Sequence, residues 1–136
     1  MKFGLIGLNV SHSRSPKLHN IIANTYNRKI DYELLSLTEE IQIENKIKEL
    51  KQGLYQGFNV TIPYKETVIK YIDKLTDKAL KIKAVNTIYI KDRLVIGDNT
   101  DYDGFKELLN KANISLLEDK FLILGIGQSI GIFSSI

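Results

Sequence analysis

Three short polar segments carry the residues whose types and spacing could do chemistry. The first is Ser11-His12-Ser13-Arg14-Ser15-Pro16. Ser13 and Ser15 can present two hydroxyls on one side of an extended loop. A hydroxyl pair beside a helix N-terminus suits a carboxylate or a polyol. The same residues equally suit a capping loop that binds nothing. The second is Gly57-Phe58-Asn59-Val60-Thr61-Ile62-Pro63-Tyr64-Lys65. Lys65 falls about one turn into the helix that follows Thr61, so both side chains can face one pocket. An ammonium beside a ligand can give a proton to a developing alkoxide or take one from an alcohol. A solvated surface lysine is the competing reading. The third runs from Ala84-Val85-Asn86-Thr87 to Gly97-Asp98-Asn99-Thr100-Asp101-Tyr102-Asp103-Gly104. Asn86 begins a strand and Asp101 begins a helix. An acid at a helix start is favoured by the dipole, so capping competes with a site role for Asp101. An Asp beside a Lys would also hold that Lys in one orientation.

The elements that must position these residues alternate between strand and helix patterns. Phe3 to Leu8 reads as a buried strand, and Ser15-Pro16 as a helix start with a cap hydroxyl before Pro. Leu18, Ile21, Ile22, Thr25 and Tyr26 then follow at helical spacing. Tyr32 to Leu37 is a second strand. Thr38 caps a second helix, with Ile43, Ile47 and Leu50 on one face. Gly57 to Thr61 is a third strand, closed by Ile62 and Pro63, and a helix through Val68, Ile69 and Ile72 follows. Thr76 opens a short helix. Val85 to Ile90 and Leu94 to Ile96 are strands joined by a turn at Lys91 to Arg93. Thr100 caps a helix carrying Phe105, Leu108, Leu109 and Ala112. This alternation predicts a three-layer α/β/α domain with a mostly parallel sheet. Ligands of open α/β sheets bind at the carboxyl ends of strands, where the polar segments lie. Residues 113–119 read as a linker, and Phe121 to Leu124 as an apolar strand entering Gly125-Ile126-Gly127. A buried strand followed by Gly-x-Gly is how a dinucleotide-binding domain opens. The expected domains are therefore 1–112 and the start of a truncated Rossmann domain at 113–136.

Composition narrows the function classes. The chain has 136 residues, 43% of them hydrophobic and 26% charged, which suits one ordinary globular domain. It has no cysteine, which removes disulfides, thiolate nucleophiles and Cys-ligated zinc. His12 and His19 have no acidic partner at metal spacing, so no metal site is expected. The net charge of +3 is scattered, with no basic run to suit nucleic acid. It would suit a small anionic ligand. No apolar stretch approaches a membrane span, and the start lacks a signal-peptide pattern. The cytoplasm is the expected location.

Together, SHSRSPKLHN, GFNVTIPYKE, KAVNTI and GDNTDYDGF resemble the shikimate dehydrogenase family, in its order and spacing, as far as about Leu124. The resemblance implies NADPH-dependent, reversible reduction of 3-dehydroshikimate to shikimate on the route to chorismate and the aromatic amino acids. It implies that Ser13 and Ser15 hold the substrate carboxylate, and that Thr61, Asn86 and Asp101 bond the ring hydroxyls. Lys65 resembles the catalytic acid/base, with Asp101 fixing it. Asn59 supports the pocket, and Asp77 matches a position near the nucleotide. His12 reads as a loop residue and His19 as a structural hydrogen-bonding residue. Tyr64 and Tyr102 flank the site without a chemical role.

The glycine loop departs from the family's Gly-Ala-Gly-Gly-Ala. Gly125 and Gly127 are kept as cofactor-binding candidates, but Gln128 stands where the third glycine of the run is usual. The chain is therefore read as a substrate-binding half with an incomplete NADP site. A helix that in the family returns to the first domain is expected to be missing. Its loss would expose an apolar patch, and a homodimer is one assembly that would cover it. Two other readings stand beside the enzyme: a non-catalytic module that binds shikimate, and a dehydrogenase acting on quinate as well. The paired serines favour shikimate.

Overall fold

The computed structural model describes residues 1–114. Six strands form one sheet in the order β2-β1-β3-β5-β6-β4. The strands are β1 (Lys2–Gly7), β2 (Asp31–Ser36), β3 (Gly57–Val60), β4 (Lys74–Leu75), β5 (Thr87–Lys91) and β6 (Leu94–Asp98). The helices are α1 (Ser15–Thr25), α2 (Glu40–Lys51), α3 (Tyr64–Thr67), α4 (Asp77–Ile82) and α5 (Thr100–Lys111). A 3-10 turn at Val68–Tyr71 continues α3. The expected sheet is present, and β5 alone runs against the other strands.

Register explains the layers. Ile6 pairs with Leu35 and Val60, and Phe58 with Ile88, so these side chains share one face. They form the main core with Ile43, Ile47 and Leu50 of α2, and with Val68 and Ala79. The 43/47/50 spacing is a helix stripe, and it is buried as the sequence pattern requires. Cutting fully buried Ile43 or Leu50 back to Ala should cost about 2–5 kcal/mol. The opposite face carries Phe3, Leu5, Tyr32 and Leu34. There α1 packs on β2, with His19 stacked on Tyr32 at 4.4 Å between ring centroids.

Several elements differ from expectation. Ser15 and Pro16 are the first two residues of α1, and Arg14, not Ser15, occupies the cap position. The stripe Leu18, Ile21, Ile22 and Tyr26 lies exposed, while Ala23 is the buried residue of α1. Thr38 is one residue too early as the cap of α2, because Glu39 holds that position. Gln42 Oε1 reaches back to accept from the N–H groups of Thr38 and Glu39. Asn99 caps α5, taking the place expected of Thr100, and its Oδ1 accepts from the Tyr102 N–H. Thr76 does cap α4, accepting from the Ala79 N–H. The turn between β5 and β6 is a two-residue hairpin at Asp92 and Arg93, both at positive φ. No described helix is long and apolar enough to cross a membrane.

Candidate active site

The site is assembled at the strand ends by chain direction. β1 and β3 deliver their carboxyl ends to one rim. Because β5 runs backwards, it starts at the rim where β6 finishes, with Thr87 opposite Asp98. Asn86, just before β5, and Asp101, just after β6, therefore arrive together although 15 residues apart in sequence.

Gly7 at the end of β1 lets the strands close tightly. A Cβ there would lie 2.5 Å from Val10 Cγ1 and 2.6 Å from Thr61 Cγ2. Both neighbours are β-branched and stiff at χ1, so they could not yield cheaply. The Thr61 N–H donates to the Ile6 carbonyl at 2.9 Å, fixing the start of the loop that leads to α3. The Ile62–Pro63 peptide bond in that loop is cis. Lys65 is the second residue of α3, and its carbonyl accepts from the Val85 N–H at 2.7 Å.

Lys65 Nζ lies 2.6 Å from Asp101 Oδ2, joining residues 36 apart in sequence. The Lys65 side chain is 17% exposed and that of Asp101 43%. A pair this open contributes at most about 1 kcal/mol to stability. Its consequence is orientation, since it fixes the ammonium on the rim.

The serines form a small network of their own. The Ser13 hydroxyl donates to Ser15 Oγ at 3.0 Å and accepts from the Ser15 N–H at 3.2 Å. The Ser13 N–H donates to the Val10 carbonyl at 2.9 Å, which folds the loop back on itself. His19 Nδ1 lies 2.9 Å from the Ser15 carbonyl, the structural hydrogen bond expected of it. His12 is exposed on the loop.

Asn86 is buried and largely occupied by support contacts. Its Oδ1 accepts from the Thr100 N–H and from the Thr87 hydroxyl, each at 2.9 Å. Its Nδ2 donates to Thr100 Oγ1 at 3.0 Å, which leaves one N–H for a ligand. Asn59 bridges toward Asn86, with Nδ2 donating to the Asn86 carbonyl at 3.4 Å. Asn59 Oδ1 accepts from the Tyr32 hydroxyl at 2.7 Å. Burial pushes the Tyr32 phenol up to about 12, with the Ser15 hydroxyl beside it pulling the other way. Ser15, Tyr32, Asn59, Asn86 and Thr100 are thus linked across the sheet.

Sequence reading missed Tyr32 and the supporting roles of Thr87 and Thr100. Thr87 and Thr100 sit inside the quoted motifs, so that signal was available. Tyr32 had none, since its partner is 27 residues away. Tyr64 belongs to the main core. It is buried, and its hydroxyl donates to the Leu37 carbonyl at 2.7 Å. Tyr102 packs with Ile82 and Ala84.

Asp77 stands exposed at the start of α4. Beside it, the Thr76 hydroxyl donates to Asp98 at 2.5 Å, and Lys78 is paired with Asp98 and Asp103. An open carboxylate there fits a contact with donor groups on a cofactor's edge. Gly125 and Gly127 lie outside the described residues. Among the described residues, no three His, Cys, Asp or Glu side chains are grouped to hold a metal.

These features define a class: an α/β domain with a cluster of hydroxyl, amide and carboxylate groups at its strand ends, next to an oriented lysine. Comparison with known proteins agrees. Residues 5–88 match the family model described as the shikimate dehydrogenase substrate binding domain. A Clostridium botulinum protein named shikimate dehydrogenase (NADP(+)) is 43% identical over 126 residues, covering 93% of this chain and 48% of that protein. A similarly named Pelagibacter ubique protein is 40% identical, covering 98% and 49%. The crystal structure of the Thermus thermophilus enzyme in complex with NADP(H) and shikimate matches with a TM-score of 0.83 at 30% identity, covering 100% of this chain and 50% of that one. The chain belongs to the shikimate dehydrogenase family, and it spans about half the length of the curated relatives it matches.

Proposed function

We propose that this chain carries the substrate-binding and proton-transferring part of an NADP-dependent shikimate dehydrogenase. Residues 1–112 form that part, and residues 113–136 begin the NADP-binding part. The observation that carries the reading is the Lys65–Asp101 pair at 2.6 Å on a rim shared with the serine loop and Asn86. Ser13 and Ser15 hold the shikimate carboxylate. Thr61, Asn86 and Asp101 bond the ring hydroxyls, and Asn59 supports them. NADPH, when bound, supplies the hydride to the carbonyl carbon of 3-dehydroshikimate, with Asp77, Gly125 and Gly127 as its candidate contacts. Lys65 meets the negative charge that develops on the carbonyl oxygen and gives that oxygen its proton. In the reverse direction the neutral amine takes the proton back from the alcohol. Asp101 keeps the ammonium aimed throughout. The working location is the cytoplasm, and the assembly is a homodimer that covers the apolar stripe of α1.

Titration calorimetry of this chain with shikimate, with and without NADP, tests the reading. Heat of binding that Ser13→Ala and Ser15→Ala each reduce would support it. No binding by the unaltered chain would overturn it. Tighter binding in the presence of NADP would add a nucleotide site to the substrate site.

A further inference from the structure

Tyr32 lies on β2, outside every segment that marks the family. Its ring is buried and stacked on His19, and His19 is anchored through Nδ1 to the Ser15 carbonyl. The ring therefore has little freedom to swing, and its hydroxyl is delivered to one place. There it donates to Asn59 Oδ1 at 2.7 Å. An asparagine amide has one acceptor end and one donor end, and either can face a ligand unless something fixes the flip. With its oxygen held by Tyr32, the other end of Asn59 points its NH2 group at the Asn86 carbonyl, through a long 3.4 Å contact. That contact uses one hydrogen weakly and leaves the other unused. Asn59 and Thr87 line a cleft of about 220 Å³ with His19 and Tyr32, and Asn86 directly precedes Thr87 in the chain.

We propose that Tyr32 is a positioning residue of this pocket: it locks the Asn59 amide so that a donor, not an acceptor, faces the bound acid. The ligand group that this donor suits is an oxygen with a free lone pair, such as a ring hydroxyl or a carboxylate. His19 assists by holding Tyr32 against the serine loop, so the carboxylate-binding and hydroxyl-binding sides of the pocket share one brace. The phenol stays protonated, and hence a donor, throughout the neutral range, because burial pushes it up to about 12. The inference rests on the substrate reading above and deepens it.

Two measurements on the full 136-residue chain test it. The first is a double-mutant cycle read by shikimate affinity. Tyr32→Phe should weaken binding about three- to tenfold, the size of one hydrogen bond. In an Asn59→Ala background the same change should have no further effect, because Tyr32 acts through Asn59. A purely structural role would cost affinity in both backgrounds, and that result would overturn the proposal. The second needs no ligand: the side-chain amide signals of Asn59 in nitrogen-15 NMR. Tyr32→Phe should shift them and speed their exchange with solvent, and unchanged signals would overturn the proposal. If the unaltered chain bound no shikimate, the functional reading would fall, and the amide signals would still decide the role of Tyr32.

Discussion

At the scale of the residue, the pocket separates groups that act from groups that hold. On the proposed function Lys65 acts, and Asp101 both touches the ligand region and holds Lys65, 2.6 Å away. In an intact enzyme that joins this half to a complete NADP-binding half, Lys65→Ala should lower turnover by about 10²–10⁴, the usual worth of a positioned acid/base, with a much smaller change in shikimate affinity. Shikimate-dependent NADP reduction at saturating shikimate measures this, and unchanged turnover would remove Lys65 from the chemistry. These residues were legible because each sits in a short string whose internal spacing is itself the signal. Lys65 follows Thr61 by four residues within one string, and Ser13 lies two residues before Ser15. Their mutual geometry was not legible, since 36 residues separate Lys65 from Asp101. Tyr32 shows the limit most clearly. It reads as an ordinary strand aromatic, and only the pairing of β2, β1 and β3 brings Asn59 within reach of its hydroxyl.

At the scale of the element, local chemistry explains what could be read and what could not. The stripe of α2 was readable because its partner layer is the adjacent sheet face. The stripe of α1 has the same periodicity, yet Leu18 and Ile21 are 56% and 55% exposed. Periodicity reports an apolar face and says nothing of what covers it. β4 has two residues and pairs only with β6, too short a run to give an alternation. The Asp92–Arg93 hairpin carries a testable strain. Arg93 sits at φ 66°, in the left-handed region that costs a non-glycine residue about 1 kcal/mol or more. Arg93→Gly should therefore raise the thermal midpoint, and Arg93→Val should lower it. Both should leave shikimate affinity unaltered, because the turn is at the opposite end of β5 and β6 from Asn86 and Asp101. Equal midpoints for all three chains would contradict this account.

At the scale of the whole molecule, stability should have both an acid and an alkaline limit set by identifiable groups. Burial, followed by the Glu33 carboxylate, pushes the Tyr55 phenol up to about 12, and burial does the same for Tyr32. A folded value above the ordinary 10 favours the protonated form in the fold. That contribution is complete below pH 10 and is lost as pH rises from 10 to 12. The opposite sign holds for two carboxylates. The Lys2 ammonium, then the Tyr55 hydroxyl, holds Glu33 below its ordinary 4.5. The Val95 N–H, then Lys51, holds Asp73 below 3.8. Their contribution is complete above those ordinary values and is lost as pH falls from them through the lower folded values. Urea midpoints measured from pH 2 to 12 should form a plateau that declines at both ends. Tyr55→Phe should flatten the alkaline decline, and an unaltered alkaline limb would count against this assignment.

The reversed strand has a consequence for how the protein is made. β4 and α4 leave the ribosome before β6, yet β6 is the strand that β4 pairs with. Asp101, which completes the pair with Lys65, emerges later still. At about 5–20 residues per second, the growing chain spends a few seconds with β3 lacking β5 as a neighbour and β4 unattached. During that interval the serine loop and Lys65 already exist, but the pocket does not. A nascent chain stalled before residue 101 should be unable to capture substrate, and its open strand edges make it a natural client for chaperones.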